Sequence, residues 1–401
     1  MKQTSYVYDL AISLLTKKKM YEIEQKSVYS IIISKDFEKS NIPTMYIGIK
    51  LSPDMYDILI KNNESATLAV TLSKVDDSSA TALKEVRIQD NFVYMMDTNP
   101  NYNESITKAE TGNTSNSSSD SYMKGHIGLL SLKSIADNKK LFNTIIKNSN
   151  LISIVHKFTN HMNMCIEPFD NNKIIDQIVI PPITSISSLL DFLNNNYSFY
   201  KSGYRYFRDY NYTYLLSNKG ISTPTNNAKY NSVLISIRDA LDGTNTKLSS
   251  MEIDNNSGAY ILNVLANNIT FTRDRVTDKK VNSIIGVDTN GDIQSVDLDL
   301  YTYSESTKKP MLQRIINNNF DILNTQKELF EGNGSILTIA VNDIDSEILT
   351  PNKEYNVKGY VTNRDDMDGR YILIYKKDIY FRKNDYMTCS TMLALRKVSG
   401  R

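Results

Sequence analysis

The stretch IPPITSISSLLDFLNNNYSFYKSGYRYFRDYNYTYLLSNKG, residues 180–220, is the most informative about the fold because it passes from extended chain through helix to hairpin. Pro181 and Pro182 each disfavour the helical conformation for the preceding residue, so the stretch begins extended. The next apolar residues recur at spacings of three and four and predict one buried helix face, formed by Ile186, Leu189, Leu190, Leu193 and Tyr197. Gly203 can turn the chain, and the alternating run after it predicts a hairpin around residues 209–211.

The residues before this stretch read mainly as strands. Short β-branched or aromatic runs recur as SVYSIIISKDF (27–37), MYIGIKL (45–51), ATLAVTLSKV (66–75) and EVRIQDNFVYMM (85–96). Ser52 followed by Pro53 is a helix start signal between two of these runs. We therefore predict a first tube-like β-barrel domain over residues 1–145, with one helix.

Residues 97–124 interrupt this domain with a stretch rich in Ser, Asn, Thr and Gly and nearly free of apolar side chains. Such a composition cannot offset the entropy lost on ordering, which predicts a mobile loop. The strand pattern resumes in KGHIGLLSL (124–132), so the loop is an insertion within the domain and not a linker.

The rest of the chain mixes helices and strands. Helical signals are found in residues 134–148, 150–161 and 309–332, and Asn290-Gly291 between alternating runs predicts a hairpin. We predict a helix-containing middle region with hairpins over residues 146–330, which contributes a strand near 231–240 to a second tube-like β-barrel domain over 331–401. The fold class is α+β: two antiparallel barrels with an inserted helical and hairpin region.

Composition removes several functional classes. The 401 residues carry 46 Lys+Arg and 45 Asp+Glu, a net charge of +1, so the chain lacks the basic field of a dedicated nucleic-acid binder. Cys165 and Cys389 are far apart, which excludes a disulfide framework and a four-thiolate zinc site. The N-terminus lacks a cleavable signal pattern and no segment approaches the ~20 apolar residues of a membrane span, so we expect a soluble chain.

Chemical motifs are sparse. His156, His161 and Cys165 could close a metal site only if their segment bends, because a spacing of five places two helical histidines on different faces. Residues 288–292, DTNGD, resemble the start of a calcium loop but lack its glycine and read better as a hairpin turn. No nucleophile elbow or Cys/His signature is present. The sequence thus predicts no catalytic, cofactor or metal residues and no enzymatic activity.

One polar and aromatic group is a candidate contact surface: Tyr204, Arg205, Tyr206 and Arg208. Arginines between stacking rings are typical of single-strand nucleic-acid binding. A hairpin whose tyrosines face a neighbouring domain or subunit explains the same residues more simply, and we favour that interpretation.

The ordered set of segments resembles the central baseplate hub proteins of contractile-tailed bacteriophages. Residues 180–220 match the family's Ile-Pro element, amphipathic helix and hairpin ending in Tyr-Leu-Leu, and residues 332–357 match its late strand pair with a Leu-Thr-Pro turn at 349–351. Residues 369–398 resemble the strands that complete the second barrel. The hub at the N-terminus of the type VI secretion spike protein is similar.

This resemblance implies a structural virion protein without cofactor. Three copies with two barrels each would present six similar units, joining a sixfold tail tube to a threefold central spike. The implied partners are the chain itself as a homotrimer, the spike, the tube and other baseplate proteins, with DNA only passing through the lumen. The implied location is the tail baseplate of the virion, assembled in the host bacterial cytoplasm. The alternatives are a hexameric distal-tail or other baseplate protein and, less favoured, a tail-associated cell-wall hydrolase.

Overall fold

The structure is a computed structural model that describes most of the chain. The described residues are 6–38, 42–75, 84–97, 123–137, 139–200, 203–218, 232–239, 250–254, 258–272, 283–287, 293–297, 335–342, 344–360, 365–383 and 386–398. Their strands are β1 (Val7–Leu15), β2 (Met20–Ile23), β3 (Val28–Asp36), β4 (Thr44–Leu51), β5 (Thr67–Val75), β6 (Lys84–Asp97), β7 (Met123–Ser131), β8 (Phe142–Ser149), β9 (Met164–Ile166), β10 (Ile175–Ile183), β11 (Tyr204–Arg208), β12 (Thr213–Ser217), β13 (Ser232–Arg238), β14 (Ser250–Ile253), β15 (Tyr260–Leu265), β16 (Ile269–Thr272), β17 (Ser283–Val287), β18 (Ile293–Asp297), β19 (Ile336–Asn342), β20 (Glu354–Tyr360), β21 (Gly369–Lys383) and β22 (Tyr386–Lys397). The helices are α1 (Pro53–Lys61), α2 (Leu132–Asp137), α3 (Leu151–Thr159) and α4 (Ile186–Tyr197).

The N-terminal strands form a closed antiparallel barrel of eight strands. Its ring order is β1, β5, β6, β7, β4, β3, β21 and β22, and the β21–β22 and β22–β1 pairings close it. Alternate residues point inward to one continuous core, so the barrel interior is filled with side chains. Tyr8 and Tyr380 meet edge to face in this core with ring centroids 4.9 Å apart.

The predicted first domain of residues 1–145 therefore lacks two strands of the barrel that it forms. The halves of β21 and β22 next to the turn of their hairpin supply those strands, through residues 375–383 and 386–391. These two strands are 15 and 12 residues long, long enough to cross from one sheet into the other. One C-terminal hairpin thus belongs to both sheets.

The second sheet wraps around a separate core and continues from the same hairpin. Its strand order is β14, β15, β13, β20, β21, β22, β19 and β16. The predicted strand near 231–240 is present as β13, but it runs parallel to both β15 and β20. Parallel strands need long connections, and β13 is separated in sequence from β15 by about twenty residues and from β20 by more than a hundred. The predicted α+β class is confirmed, with one closed antiparallel barrel and an inserted helical and hairpin region. The second sheet differs from the predicted antiparallel barrel: among the described residues its path runs from β14 to β16 without a closing pair, and β13 has parallel neighbours.

The inserted region has its own core between α3, α4 and two small sheets. β8 pairs with β10 in a two-stranded ribbon, and β12 lies between β11 and β9. The apolar face of α4 is buried as predicted, with Ile186, Leu189, Leu190 and Leu193 inside. Gly203 has a φ of 78° and starts the predicted β11–β12 hairpin.

Several local predictions can be compared directly with this structure. The helix predicted over 134–148 is wrong in its second half, because residues 142–149 form β8 and only 132–137 are helical. β17 and β18 confirm the hairpin at Asn290-Gly291, although that turn lies outside the described residues. The predicted helix over 309–332 also lies outside them. Of the predicted loop 97–124, the ends belong to β6 and β7, and residues 98–122 are not described.

Among the described residues, every helix is too short or too polar to cross a bilayer.

Candidate functional site

The β11–β12 hairpin lies between two hydrophobic cores, which makes it the centre of the candidate site. Phe207, Tyr214 and Leu216 pack into the core of the second sheet. Leu215 points the other way, into the core of the inserted region, and Tyr204 and Tyr206 pack against that same core. All five residues of β12 are buried, because both of its faces are covered. The hairpin therefore joins the inserted region to the barrels.

Arg205 fixes the hairpin to the backbone of β21. Its side chain is 6% exposed, and its guanidinium donates to the carbonyl of Leu373 at 2.9 Å and to that of Ser217 at 3.3 Å. Burial is the main cause that lowers the pKa of Arg205 to about 10. A buried guanidinium that is hydrogen-bonded to backbone carbonyls of two elements fixes their relative position.

Arg208 and Tyr204 make further contacts inside the chain. Arg208 forms an ion pair with Asp137 at the end of α2. The ammonium group of Lys140 also lies 2.7 Å from that carboxylate. The hydroxyl of Tyr204 donates to the carboxylate of Asp191 on α4. Both contacts tie the hairpin to neighbouring helices.

The structure thus places the four candidate contact residues within the protomer. Tyr204 and Tyr206 face the inserted region, Arg205 faces β21, and Arg208 reaches α2. This agrees with the interpretation that the hairpin faces a neighbouring domain. A contact of these residues with a second molecule stays a prediction.

A network of mostly buried charges extends from the turn of this hairpin into the first barrel and the second sheet. Asp209 in the turn pairs with Lys35 of β3 at 2.7 Å. Lys376 of β21 lies 3.4 Å from Asp378 and 3.9 Å from Glu347, and it donates to the carbonyl of Ser346. Burial alone would lower the pKa of Lys35, but the carboxylates around it, Asp209 foremost, raise that pKa above its ordinary value.

A second cluster in the same network connects the barrel wall to the loop after β19. Asp345 in that loop accepts from Lys74 of β5 at 2.5 Å and from Arg87 of β6 at 2.9 Å and 3.1 Å. Nearby, burial would raise the pKa of Glu347, yet Lys35, Lys376 and Arg87 together lower it to about 2. Glu347 is therefore ionised at neutral pH.

The charges that lie inside the network balance: the four cations Lys35, Lys74, Arg87 and Lys376 meet the four carboxylates Asp209, Asp345, Glu347 and Asp378, and the exposed Glu85 adds a surface contact to Arg87. A buried ion pair adds little net stability, but removing one partner typically costs about 3–5 kcal/mol. Directional pairs also fix how elements fit together. The network therefore sets the relative positions of the first barrel, the second sheet and the hairpin.

A cleft of about 330 Å³ lies beside the network and is lined by Lys35, Arg87, Asp209, Glu347 and Lys376. These charged groups already pair with one another, as described above. The described part of the chain holds no group of three or more metal-ligating side chains. His156 is exposed, and His161 lies 3.2 Å from Asp137 in the Lys140 cluster. Cys165 lies 3.9 Å from the side-chain amide of Asn352. The arrangement is suited to mechanical connection.

Sequence reasoning missed the charged network, although a signal for it exists. In β3, Ile31, Ile33 and Lys35 occupy consecutive inward positions, and in β21 Lys376 and Asp378 do the same. A charge at an inward position of an apolar strand must find a partner. The partners lie far away in sequence, so only the position, and not the pairing, could be predicted.

Comparison with solved structures connects this architecture to tail proteins. The tail protein from Neisseria meningitidis MC58 has a TM-score of 0.50 at 12% identity, and the match covers 97% of this chain and 96% of that one. The 43 kDa tail protein of prophage MuSo2 from Shewanella oneidensis has a TM-score of 0.49 at 11% identity, with 97% of each chain covered. The E. coli c3393 protein, a component of the type VI secretion system, has a TM-score of 0.40 at 11% identity, covering 96% of this chain and 77% of that one.

The first of these similarities shows that the chain has the fold of a tail protein, which confirms the predicted resemblance at the level of the fold. No curated protein sequence matches the chain. A family model described as "Bacteriophage PBS1 gene 109 protein" matches residues 2–398, nearly the whole sequence. The chain therefore belongs to the bacteriophage PBS1 gene 109 protein family.

Proposed function

We propose that this protein is a structural component of a phage tail, and specifically the baseplate hub that joins a sixfold tail tube to a threefold central spike. The observation that carries the proposal is the presence of a closed barrel and a second sheet, connected by one hairpin, within a single chain. Membership of a bacteriophage family and the fold of a tail protein support it.

Symmetry supplies the functional reason for two such sheets. Three copies with two similar units each present six units in a ring, which can contact a sixfold tube on one side and a threefold spike on the other. The charged network supports this role, because an adaptor needs its two units in one fixed relation within each copy.

The DNA channel of such a hub lies between copies. The first barrel is filled by its own core, so duplex DNA cannot pass through that barrel. A nearly neutral chain also suits a lumen through which DNA moves, because a basic wall would bind phosphates through counterion release. DNA is accordingly a transient neighbour of this protein.

The proposal includes a structural, non-enzymatic role without cofactor. The proposed partners are two further copies of the chain, the spike, the tube protein and other baseplate proteins. The proposed location is the virion baseplate, assembled in the host bacterial cytoplasm. Peptidoglycan-degrading activity that disappears on His161→Ala or Cys165→Ser would contradict this role and favour a tail-associated hydrolase.

Mass photometry of the purified chain tests the proposal. We expect particles of about 137 kDa, three times the protomer mass of 45.6 kDa. A chain that stays monomeric at high concentration contradicts the hub. A hexamer contradicts it as well and favours a distal-tail protein.

A further inference from the structure

The outer face of the first barrel carries a continuous row of uncharged residues across five neighbouring strands. Strand register places them side by side: Ile379 on β21, Ile32 on β3, Tyr46 on β4, Gly128 on β7 and Met95 on β6. At a strand spacing of about 4.8 Å the row is about 19 Å long. Charged residues make up 23% of the whole chain, yet this row has none.

Part of this face is strongly apolar and exposed. Met95 is 71% exposed and Tyr46 is 50% exposed, and the adjacent cross-strand pair Val93 and Leu130 is exposed as well. Gly128 has no side chain, so the ring of Tyr46 beside it stays uncovered. We call Tyr46, Val93, Met95 and Leu130 the barrel patch. A contiguous apolar patch of this kind is typical of a contact surface.

A second apolar patch lies on the β8–β10 ribbon of the inserted region. Ile145 and Val179 are directly paired across the two strands and are 58% and 53% exposed. Leu141 and Ile174 precede the two strands and are both 70% exposed. We call these four residues the ribbon patch. The opposite face of the ribbon already packs on the core of the inserted region through Ile146 and Ile178.

The edges of this ribbon are also open. Among the described residues, β8 and β10 pair only with each other, so each has one edge without a strand neighbour. Exposed edges and exposed apolar faces together favour association with another chain. Pro181 and Pro182 restrict pairing at one end of β10, which leaves the face around Ile145 and Val179 as the better contact.

We propose that the barrel patch of one copy packs against the ribbon patch of the next copy and so closes the trimeric ring, an inference that rests on the proposed hub function. In a cyclic trimer each interface joins two different surfaces, and this chain carries two different apolar patches. Copies of a chain with net charge +1 do not repel one another strongly. The row on the barrel face has no charged side chain, so covering this row with another chain costs no desolvation of a charge.

The test uses the full chain with one patch disabled at a time. Met95→Glu disables the barrel patch and Ile145→Glu disables the ribbon patch, and both side chains are exposed, so the fold is retained. Native mass spectrometry is expected to show loss of the trimer for each variant alone. Ile60→Glu, at an exposed apolar residue of α1 outside both patches, is the matched control and is expected to stay trimeric.

Mixing the two variants gives the sharpest result. The Met95→Glu chain keeps its ribbon patch and the Ile145→Glu chain keeps its barrel patch, so one intact interface can form between them. We expect a heterodimer of about 91 kDa, twice the protomer mass, and no closed trimer. Unchanged circular dichroism and melting temperature of each variant establish that the fold is retained.

Three outcomes overturn the proposal. Trimers that persist in both variants show that the patches do not form the interface. A mixture that stays monomeric, or dissociation by only one of the two substitutions, contradicts the pairing of two different surfaces. A wild-type chain that is monomeric contradicts the hub function itself, so that failure is distinct from a wild-type trimer that both substitutions leave intact.

Discussion

Arg205 is the residue whose loss should weaken the connection between the hairpin and β21 most directly. The change Arg205→Met leaves the carbonyls of Leu373 and Ser217 without their buried donor. We expect the free energy of unfolding to fall by about 3 kcal/mol, since a buried hydrogen bond to a charged group is lost. Urea denaturation followed by circular dichroism measures this change.

The matched control for that substitution is Arg238→Met. Arg238 is exposed at the end of β13, so its replacement should change the free energy of unfolding by no more than about 0.5 kcal/mol. Equal stability of the Arg205 variant and the wild type would show that the hydrogen bonds of Arg205 do not stabilise the contact between the hairpin and β21.

Glu347 should contribute to the acid sensitivity of the protein. Its pKa is about 2 in the folded chain and near 4.5 when unfolded, so its stabilising effect is full above pH 4.5 and is lost as the pH falls toward 2. Glu347→Gln should therefore flatten the fall in unfolding free energy between pH 4.5 and 2, by on the order of 2 kcal/mol. Urea titrations at several pH values measure this slope.

The corresponding control is Glu85→Gln, which removes a largely exposed carboxylate that pairs with Arg87 at 3.1 Å. Exposed ion pairs contribute little, so the acid limb of this variant should follow that of the wild type. An identical acid limb for the Glu347 variant and the wild type would refute the role given to the network.

At the scale of single elements, α4 depends on its N-cap. The hydroxyl of Ser185 accepts from the amide of Ser188 at 3.1 Å, and the buried face of α4 supports the inserted region. Ser185→Ala should lower the free energy of unfolding by about 1 kcal/mol, and Ser185→Asp should restore it, because Asp is an equally good cap. Thermal melts of both variants test this role. A Ser185→Ala variant with the melting temperature of the wild type would show that the cap does not stabilise the protein.

Elements with strong local signals could be predicted from the sequence. The apolar stripe of α4, the Ser52-Pro53 start of α1 and the β11–β12 hairpin all follow from patterns within a dozen residues. The predicted helix over 134–148 fails at β8 because Ile145 and Ile146 fit the helical and the strand period equally well over such a short run. Its pairing with β10, about thirty residues later, decides the outcome.

Long-range pairings could not be predicted in the same way. The hairpin of residues 369–397 completes two sheets: the half next to its turn pairs with β3, and the half away from the turn pairs with β20. No local sequence pattern indicates this, because both partners are distant in sequence. The charged network has the same origin, since Lys35 and Asp209 are 174 residues apart. Inward charges in apolar strands mark where such contacts occur, but the partners depend on the folded topology.

At the scale of the whole molecule, the two sheets share one hairpin and the inserted region is held to both. Arg205, the Lys35–Asp209 pair and the Asp345 cluster each connect different parts of the protomer. These contacts hold the barrel, the second sheet and the inserted region in one fixed arrangement. The interior of the first barrel is filled with side chains, so the proposed DNA channel would have to lie between copies.

A cryo-electron microscopy reconstruction of the purified assembly would resolve how the copies are arranged. The hub function predicts three chains around a threefold axis, with six barrel-like units in one ring and a central opening wide enough for duplex DNA. A ring of six chains, or three chains whose second sheet lies outside the ring, would contradict it.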